Sequence, residues 1–159
     1  MIEIHYHNKA KGKKTIKRAV RGLIVKDNHL VLMYLRSSNT YVLPGGGVDD
    51  HETLDEAIKR EIKEETGYRL LDYEKVLEIK EYFEDKMRHH YIYRCDVGNH
   101  KVPVNLTAEE KALGMEMVTV PIEKGLELLR DNQGTHPLSE PVQLREFIAI
   151  MHGLKTVIK

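Results

Sequence analysis

The sequence predicts an α/β domain of the α+β kind, with strands arranged around one helix that carries the chemistry. Segments rich in β-branched and apolar residues alternate with turn residues, which is the pattern of strands and hairpins. Residues 53–66 instead repeat apolar side chains at helical spacing and end at Gly67, a residue suited to a helix C-terminus. At 159 residues the chain is expected to form one domain, 1–159, with residues 1–15 as an N-terminal extension and 141–159 as a C-terminal helical segment.

The remaining elements are predicted in chain order. Residues 14–26 and 29–35 form a hairpin around Asp27-Asn28, and residues 41–43 form a short strand. Residues 76–83 and 89–97 form a second hairpin, and residues 98–110 are a loop. Residues 116–120 are a strand, and residues 122–130 and 143–154 are helices. The apolar residues of the last helix recur at intervals of three and four and predict packing against the sheet or a second subunit: Leu144, Phe147, Ile148 and Met151.

A carboxylate lies on the apolar face of the central helix. Four residues define that face at the helical period: Leu54, Ala57, Ile58 and Ile62. Glu61 falls inside the same arc, where amphipathicity does not explain a charge. Glu64 and Glu65 follow three and four residues later, so the three carboxylates lie within roughly 100° of arc and can converge.

Three converging carboxylates predict a cation. Their charges repel unless a cation lies among them, and hard cations such as Mg²⁺ and Mn²⁺ take oxygen ligands. A solvated helix is the alternative interpretation, because Glu56, Arg60 and Glu64 form a ladder of weak ion pairs at i, i+4 spacing. The position of Glu61 and the neighbouring glycines favour the metal site.

The three consecutive glycines Gly45, Gly46 and Gly47 precede the acidic helix and have two interpretations. Glycine permits positive φ and lets the backbone approach a ligand closely, at an entropic cost. A tight turn would also use glycines. Together with the acidic helix, the triplet predicts a cradle for metal and phosphate.

The segment from Gly46 to Tyr68 resembles the signature of the Nudix hydrolase family at every specified position. The matching residues are Gly46, Glu52, Arg60-Glu61-Ile62, Glu64-Glu65, Gly67 and Tyr68. The resemblance implies the Nudix fold, a mixed β-sheet sandwiched between α-helices, over about residues 16 to 130. It also implies hydrolysis of a phosphoanhydride by water attack at phosphorus, with Mg²⁺ as the cofactor and Mn²⁺ as a substitute.

The resemblance assigns roles to individual residues. The Gly45 carbonyl, Glu61, Glu64 and Glu65 are expected as metal ligands, and either Glu61 or Glu64 also orients or deprotonates the attacking water. Gly46 and Gly47 are expected to bind substrate. Three further residues complete the set: Arg21 binds phosphate, while Arg60 and Glu52 support the site without touching the reacting phosphorus.

A further acid is expected from the segment before the late strand, where many Nudix enzymes supply one. Glu109 or Glu110 is the candidate for this catalytic role. The residues alone have another interpretation, a capping box in which Thr107 is the cap and Glu110 stands at N3. Both interpretations are compatible, because one glutamate can cap while its neighbour faces the site.

Composition excludes several partners, whereas the substrate stays open. The 25 basic and 25 acidic side chains balance, so no overall field recruits nucleic acid or a membrane. The single cysteine allows no internal disulfide, and a cytoplasmic location is expected.

A small nucleoside diphosphate-type substrate is expected, with a nucleoside triphosphate or derivative favoured over ADP-ribose, a nucleotide sugar or a dinucleoside polyphosphate. A non-catalytic Nudix module that binds nucleotides is the alternative function. The resemblance also implies a homodimer.

Overall fold

The computed structural model describes residues 1–5, 15–83 and 86–157. The strands are β1 Ile2–His5, β2 Thr15–Lys26, β3 His29–Leu35, β4 Thr40–Val42, β5 Gly45–Gly47, β6 Tyr68–Tyr82, β7 Lys86–Lys101 and β8 Met115–Pro121. The helices are α1 Leu54–Thr66, α2 Ala108–Ala112, α3 Ile122–Asp131 and α4 Ser139–Val157.

The strands form one mixed sheet. Its order is β1-β6-β7-β2-β3-β4, with β5 paired to β2 and β8 paired to β3. The β1–β6 and β2–β7 pairs are parallel, and the other pairs are antiparallel. Helix α1 covers one face, where Ile58 packs near Val20, and α3 and α4 cover the other, where Ile150 packs near Leu23. The predicted mixed sheet between helices is confirmed.

Turn and cap residues set the ends of the first elements. Asp27 and Asn28 have φ of 52° and 60°, the left-handed conformation that a two-residue hairpin turn requires. Thr53 caps α1 by accepting a hydrogen bond from the Glu56 N–H at 3.1 Å. Gly67 ends the helix with φ of 76°. The first hairpin and the central helix therefore lie where the sequence predicts them.

The second hairpin is longer than predicted. Strand β6 begins at Tyr68, directly after the helix cap, and β7 runs to Lys101, which pairs with Tyr68. The Lys101 Nζ lies 4.7 Å from the Tyr68 ring centroid, a cation–π contact that helps a polar segment to remain in strand form. The prediction of a loop over 98–110 is therefore wrong at both ends, since α2 occupies Ala108–Ala112. Residues 84–85, at the predicted hairpin tip, lie outside the described residues.

Helix α4 has the predicted position, and Phe147 packs against the core as predicted. Leu144 and Met151 are 50% and 42% exposed within the chain, whereas Arg145 and Glu146 are buried. Apolar periodicity did not predict these buried charges, which pair with each other inside the protein. Strand β1 lies at one end of the strand order and pairs within the chain with β6. Among the described residues, no helix combines the length and apolar character needed to span a bilayer.

Candidate active site

The glycine triplet forms a short strand instead of the expected loop. Strand β5 pairs with β2 so that Gly45 lies opposite Arg21 and Gly46 opposite Val20. Gly45 has φ of 149°, and a Cβ added there would lie 2.0 Å from the Val20 carbonyl oxygen. A side chain is therefore excluded at Gly45 by both conformation and space.

The glycines bring their backbone against two carboxylates of α1. The Gly45 N–H donates a hydrogen bond to Glu65 Oε1 at 2.7 Å. At Gly46, an added Cβ would lie 2.6 Å from Glu61 Oε1, so this carboxylate occupies the space that a side chain would fill. The structure thus joins the triplet and the acidic helix into one site.

Three glutamates converge at this point. Glu61, Glu65 and Glu110 each place a carboxylate oxygen within 4.8 Å of the others. Glu61 and Glu65 are buried, at 7% and 2% exposure, and Glu110 is partly buried. Glu65 Oε2 is buried without a hydrogen-bond partner among the described residues. Glu64 lies outside this trio, with its carboxylate 3.3 Å from Arg60 Nη1. Glu110, one of the two late acids expected from the sequence, completes the trio.

The electrostatics of the trio fit a divalent cation. Burial raises the pKa of Glu65 to about 9, and the neighbouring Glu110 carboxylate adds to the rise. Burial also raises the pKa of Glu61, against the opposing effect of Arg60. A buried carboxylate of this kind must hold either a proton or a cation, because its unpaired charge is costly. Closely spaced carboxylate oxygens are the donors that Mg²⁺ and Mn²⁺ prefer.

Arg60 ties the site together. Its Nε and Nη2 donate to the two Glu52 oxygens at 2.6 and 2.8 Å, and its Nη1 donates to Glu61 at 2.8 Å. Nη2 also donates to the Gly47 carbonyl at 3.0 Å. These hydrogen bonds from Arg60 hold the pKa of Glu52 down at about 2. The orienting contacts expected of Arg60 and Glu52 are thus present, while the Glu56 carboxylate accepts from the Thr53 hydroxyl instead.

Helix α2 places Glu110 in the carboxylate trio and Glu109 at the neighbouring cavity. Thr107 Oγ1 accepts from the Glu110 N–H at 3.1 Å, and Glu110 Oε1 accepts from the Thr107 N–H at 2.9 Å, which is a capping box. Glu110 therefore caps the helix and also belongs to the carboxylate trio. Glu109 is exposed and lines the neighbouring cavity.

A cavity of about 690 Å³ adjoins the carboxylate trio. Basic residues from β2 and β7 line it, among them Arg18, Arg21 and Arg88, together with Gly47 and the acidic residues Asp49, Asp50 and Glu109. The predicted phosphate residue Arg21 thus lies at the cavity. Burial lowers its pKa, and the nearby Arg145 lowers it further.

Comparison with known protein families agrees with the geometry of this site. Residues 15–137 match the NUDIX domain family, which is most of the chain. The chain belongs to the Nudix family. Its members act on small nucleotide-type substrates, and a trio of glutamates on and beside α1 fits the divalent metal that they generally use.

Individual relatives of this Nudix chain carry informative names. An "ADP-ribose pyrophosphatase" of Methanocaldococcus jannaschii is 48% identical over 52 residues, and the match spans 31% of each chain. A crystal structure of an "ADP compounds hydrolase" superposes with a TM-score of 0.65 at 24% identity, covering 90% of this chain and 75% of that one. A MutT Nudix hydrolase from Burkholderia pseudomallei gives 0.57 at 19% identity, covering 87% and 98%. The two structural likenesses establish the Nudix fold.

Sequence reasoning missed a group of buried charges that approaches the site from the other face of the sheet. Glu81, His90, Arg145 and Glu146 are each at most 2% exposed. In the sequence, the adjacent charges of Arg145 and Glu146 within an apolar helix were the available signal.

Proposed function

We propose that this chain is a Mg²⁺-dependent hydrolase, with Mn²⁺ as a substitute, that cleaves the phosphoanhydride bond of a nucleoside diphosphate derivative. One observation carries the proposal: three glutamate oxygens lie within 4.8 Å of one another beside a cavity that three arginines line, and one buried Glu65 oxygen has no partner among the described residues. A solvated acidic helix would not bury these carboxylates. A nucleotide-binding module without catalysis would not need them.

Glu61, Glu65 and Glu110 are the residues proposed to hold the cation, with the Gly45 carbonyl as a further ligand. When bound, the cation neutralises phosphate charge and lowers the pKa of a coordinated water. Arg60 fixes the Glu61 carboxylate through a hydrogen bond of 2.8 Å. Glu64 shares that guanidinium and lies at the edge of the trio, so we assign it a supporting ligand role.

The remaining side chains fit the displacement at phosphorus. Arg21 and the backbone of Gly46 and Gly47 bind the diphosphate in the cavity, where cationic and N–H groups stabilise charge on phosphoryl oxygens. Glu109 lines the cavity and lies outside the trio, so we assign it to orient and deprotonate the attacking water. Water oxygen bonds to phosphorus as the bridging oxygen departs, and no covalent enzyme intermediate is required.

The names of the relatives guide the choice of substrate. Sequence reasoning favoured a nucleoside triphosphate, whereas the two relatives with informative names act on ADP-ribose and on ADP compounds. We therefore propose ADP-ribose and similar nucleoside diphosphates as the first substrate class. Hydrolysis of the ADP-ribose phosphoanhydride gives AMP and ribose 5-phosphate, whereas a triphosphate would release inorganic phosphate or pyrophosphate.

Product analysis tests the reaction. The purified chain is incubated with ADP-ribose, nucleotide sugars, dinucleoside polyphosphates and nucleoside triphosphates, in Mg²⁺ and in excess EDTA, and the products are separated by anion exchange. Metal-dependent cleavage of a diphosphate supports the proposal. Measurable nucleotide binding without any cleavage across the panel refutes it and favours the binding module.

Variants separate the proposed roles. Glu109→Gln should lower kcat by about 10²- to 10⁴-fold, the usual contribution of a general base, and leave Mn²⁺ affinity unchanged. Glu61→Gln should lower kcat and also weaken Mn²⁺ binding, because Glu61 is a proposed metal ligand. Glu64→Gln is expected to fold normally and lose most turnover, while Glu56→Gln, an exposed change on the same helix, serves as the control. A large fall in kcat for Glu64→Gln with none for Glu109→Gln would transfer the base role to Glu64.

A further inference from the structure

Helix α4 carries two adjacent charges inside the protein. Arg145 Nε donates to Glu146 Oε1 at 2.7 Å, and Arg145 Nη1 donates to Glu81 Oε1 at 2.9 Å. The same Glu81 oxygen lies 2.5 Å from His90 Nε2. Helix α4 begins at Ser139, beyond the residues 15–137 that match the family.

The buried group is balanced in charge. Burial, with the nearby Arg145, lowers the pKa of His90 to about 3, so this imidazole is neutral and its Nε2–H donates to Glu81. Two cations, Arg145 and Arg21, then accompany the Glu81 and Glu146 carboxylates. Buried ion pairs contribute little net stability compared with apolar side chains of similar volume. Packing alone therefore does not account for this arrangement.

The group holds both backbone polar groups of Leu43, in the connection between β4 and β5. Glu146 Oε2 accepts a hydrogen bond from the Leu43 N–H at 3.1 Å. On the other side of that residue, Arg21 Nη1 donates to the Leu43 carbonyl at 3.4 Å. Leu43 is itself fully buried, so water does not replace these partners.

The backbone that follows Leu43 leads directly into the carboxylate site. Pro44 follows, and its carbonyl accepts from the Gly22 N–H at 2.8 Å. Gly45 comes next, and its N–H donates to Glu65 at 2.7 Å. The backbone from Leu43 to Gly45 is thus held between Glu146 at one end and Glu65 of the trio at the other.

We propose that Glu146, oriented by Arg145, is a positioning residue that sets the backbone of Gly45 against Glu65. The inference rests on the proposed function, since it assigns a residue outside the family motif to the same metal site. Arg145 and the Leu43 N–H donate to different oxygens of Glu146, and a glutamine at this position replaces one of those oxygens by an NH2 donor that faces another donor. One of the two contacts would be lost while side-chain volume is kept.

The test compares Glu146→Gln with Glu140→Gln, an exposed change on the same helix. Mn²⁺ affinity is measured from the electron paramagnetic resonance signal of free Mn²⁺, and kcat and KM are measured at a temperature where each variant is fully folded. Loss of a group that orients metal ligands weakens metal binding by about 10- to 100-fold, so Glu146→Gln should raise the Mn²⁺ dissociation constant by that factor and lower kcat more than it raises KM. Glu140→Gln should change neither.

A structural role would give another result. If Glu146→Gln lowers the melting temperature but keeps the Mn²⁺ dissociation constant and kcat of the unaltered protein, the inference is overturned. Arg145→Lys provides a milder second variant, because lysine keeps the charge and loses the fork that reaches two carboxylates. It should weaken Mn²⁺ binding in the same direction, and unchanged binding in this variant also overturns the inference. If the unaltered protein binds Mn²⁺ but hydrolyses nothing, the proposed function fails while the affinity comparison still decides the role of Glu146.

Discussion

Replacing Gly46 by alanine is expected to displace the Glu61 carboxylate while leaving the fold intact. The added Cβ would lie 2.6 Å from Glu61 Oε1, whereas ordinary contacts begin at 3.4 Å, so the oxygen must move by about 0.8 Å. The obstructing atom is the end of a flexible side chain, and Gly46 does not have a positive φ, so folding should be little affected. A misplacement of about 1 Å at a reacting centre can cost about 10²-fold, so we expect kcat to fall by about 10- to 100-fold.

Gly47→Ala supplies the matched control for Mn²⁺ affinity and folding, because its Cβ meets nothing within 4 Å, while KM is left out of the comparison because Gly47 lines the proposed diphosphate cavity. Both variants remove one glycine from the same strand, so they share any change in backbone entropy. Steady-state hydrolysis, Mn²⁺ affinity and thermal unfolding are measured for each. Equal Mn²⁺ affinity and equal kcat in the two variants would refute the idea that Gly46 makes room for the Glu61 carboxylate.

Three further predictions concern other parts of the chain. Gly67→Ala should lower the free energy of unfolding by more than about 1 kcal/mol in urea titrations, because φ is 76° and the Cβ would lie 2.3 Å from the Val102 carbonyl oxygen. The folded-state pKa of Glu52 is about 2, below its ordinary 4.5, so the stability it contributes is present above about pH 4.5 and lost as the pH falls towards 2. In denaturant titrations at several pH values, the free energy of unfolding of Glu52→Gln should therefore fall less steeply with acid than that of the unaltered protein. An unchanged slope would contradict this. Burial raises the pKa of the Cys95 thiol to about 12, so a disulfide reagent at neutral pH should label Cys95 only after unfolding; rapid labelling of the folded protein would disagree.

Local sequence information was sufficient for the core of the site. Glu61 is conspicuous because it interrupts an apolar face, and the structure buries it together with Ile58 and Ile62 of α1. Gly67 and Thr53 delimit that helix through short-range hydrogen bonds. Signals of this kind depend on residues a few positions apart, so the sequence displays them directly.

Features that depend on distant partners were not predictable. Glu109 or Glu110 was expected at the site only from the family resemblance, and spacing along the chain did not show that Glu110 is the one that joins Glu61 and Glu65. The burial of Arg145 on α4 was not predicted, because Arg145 pairs with Glu81, 64 residues earlier, and no local pattern records such a partner. Apolar periodicity assigns charged residues to the surface, and buried ion pairs are exceptions to that rule.

The most direct measurement of the metal site is anomalous diffraction from crystals of the protein soaked in Mn²⁺. An anomalous peak within bonding distance of carboxylate oxygens of Glu61, Glu65 and Glu110 is the predicted result, because these oxygens already lie within 4.8 Å of one another. Absence of a peak at the trio at saturating Mn²⁺, or a peak held by other residues alone, would contradict the assignment of these glutamates to the metal.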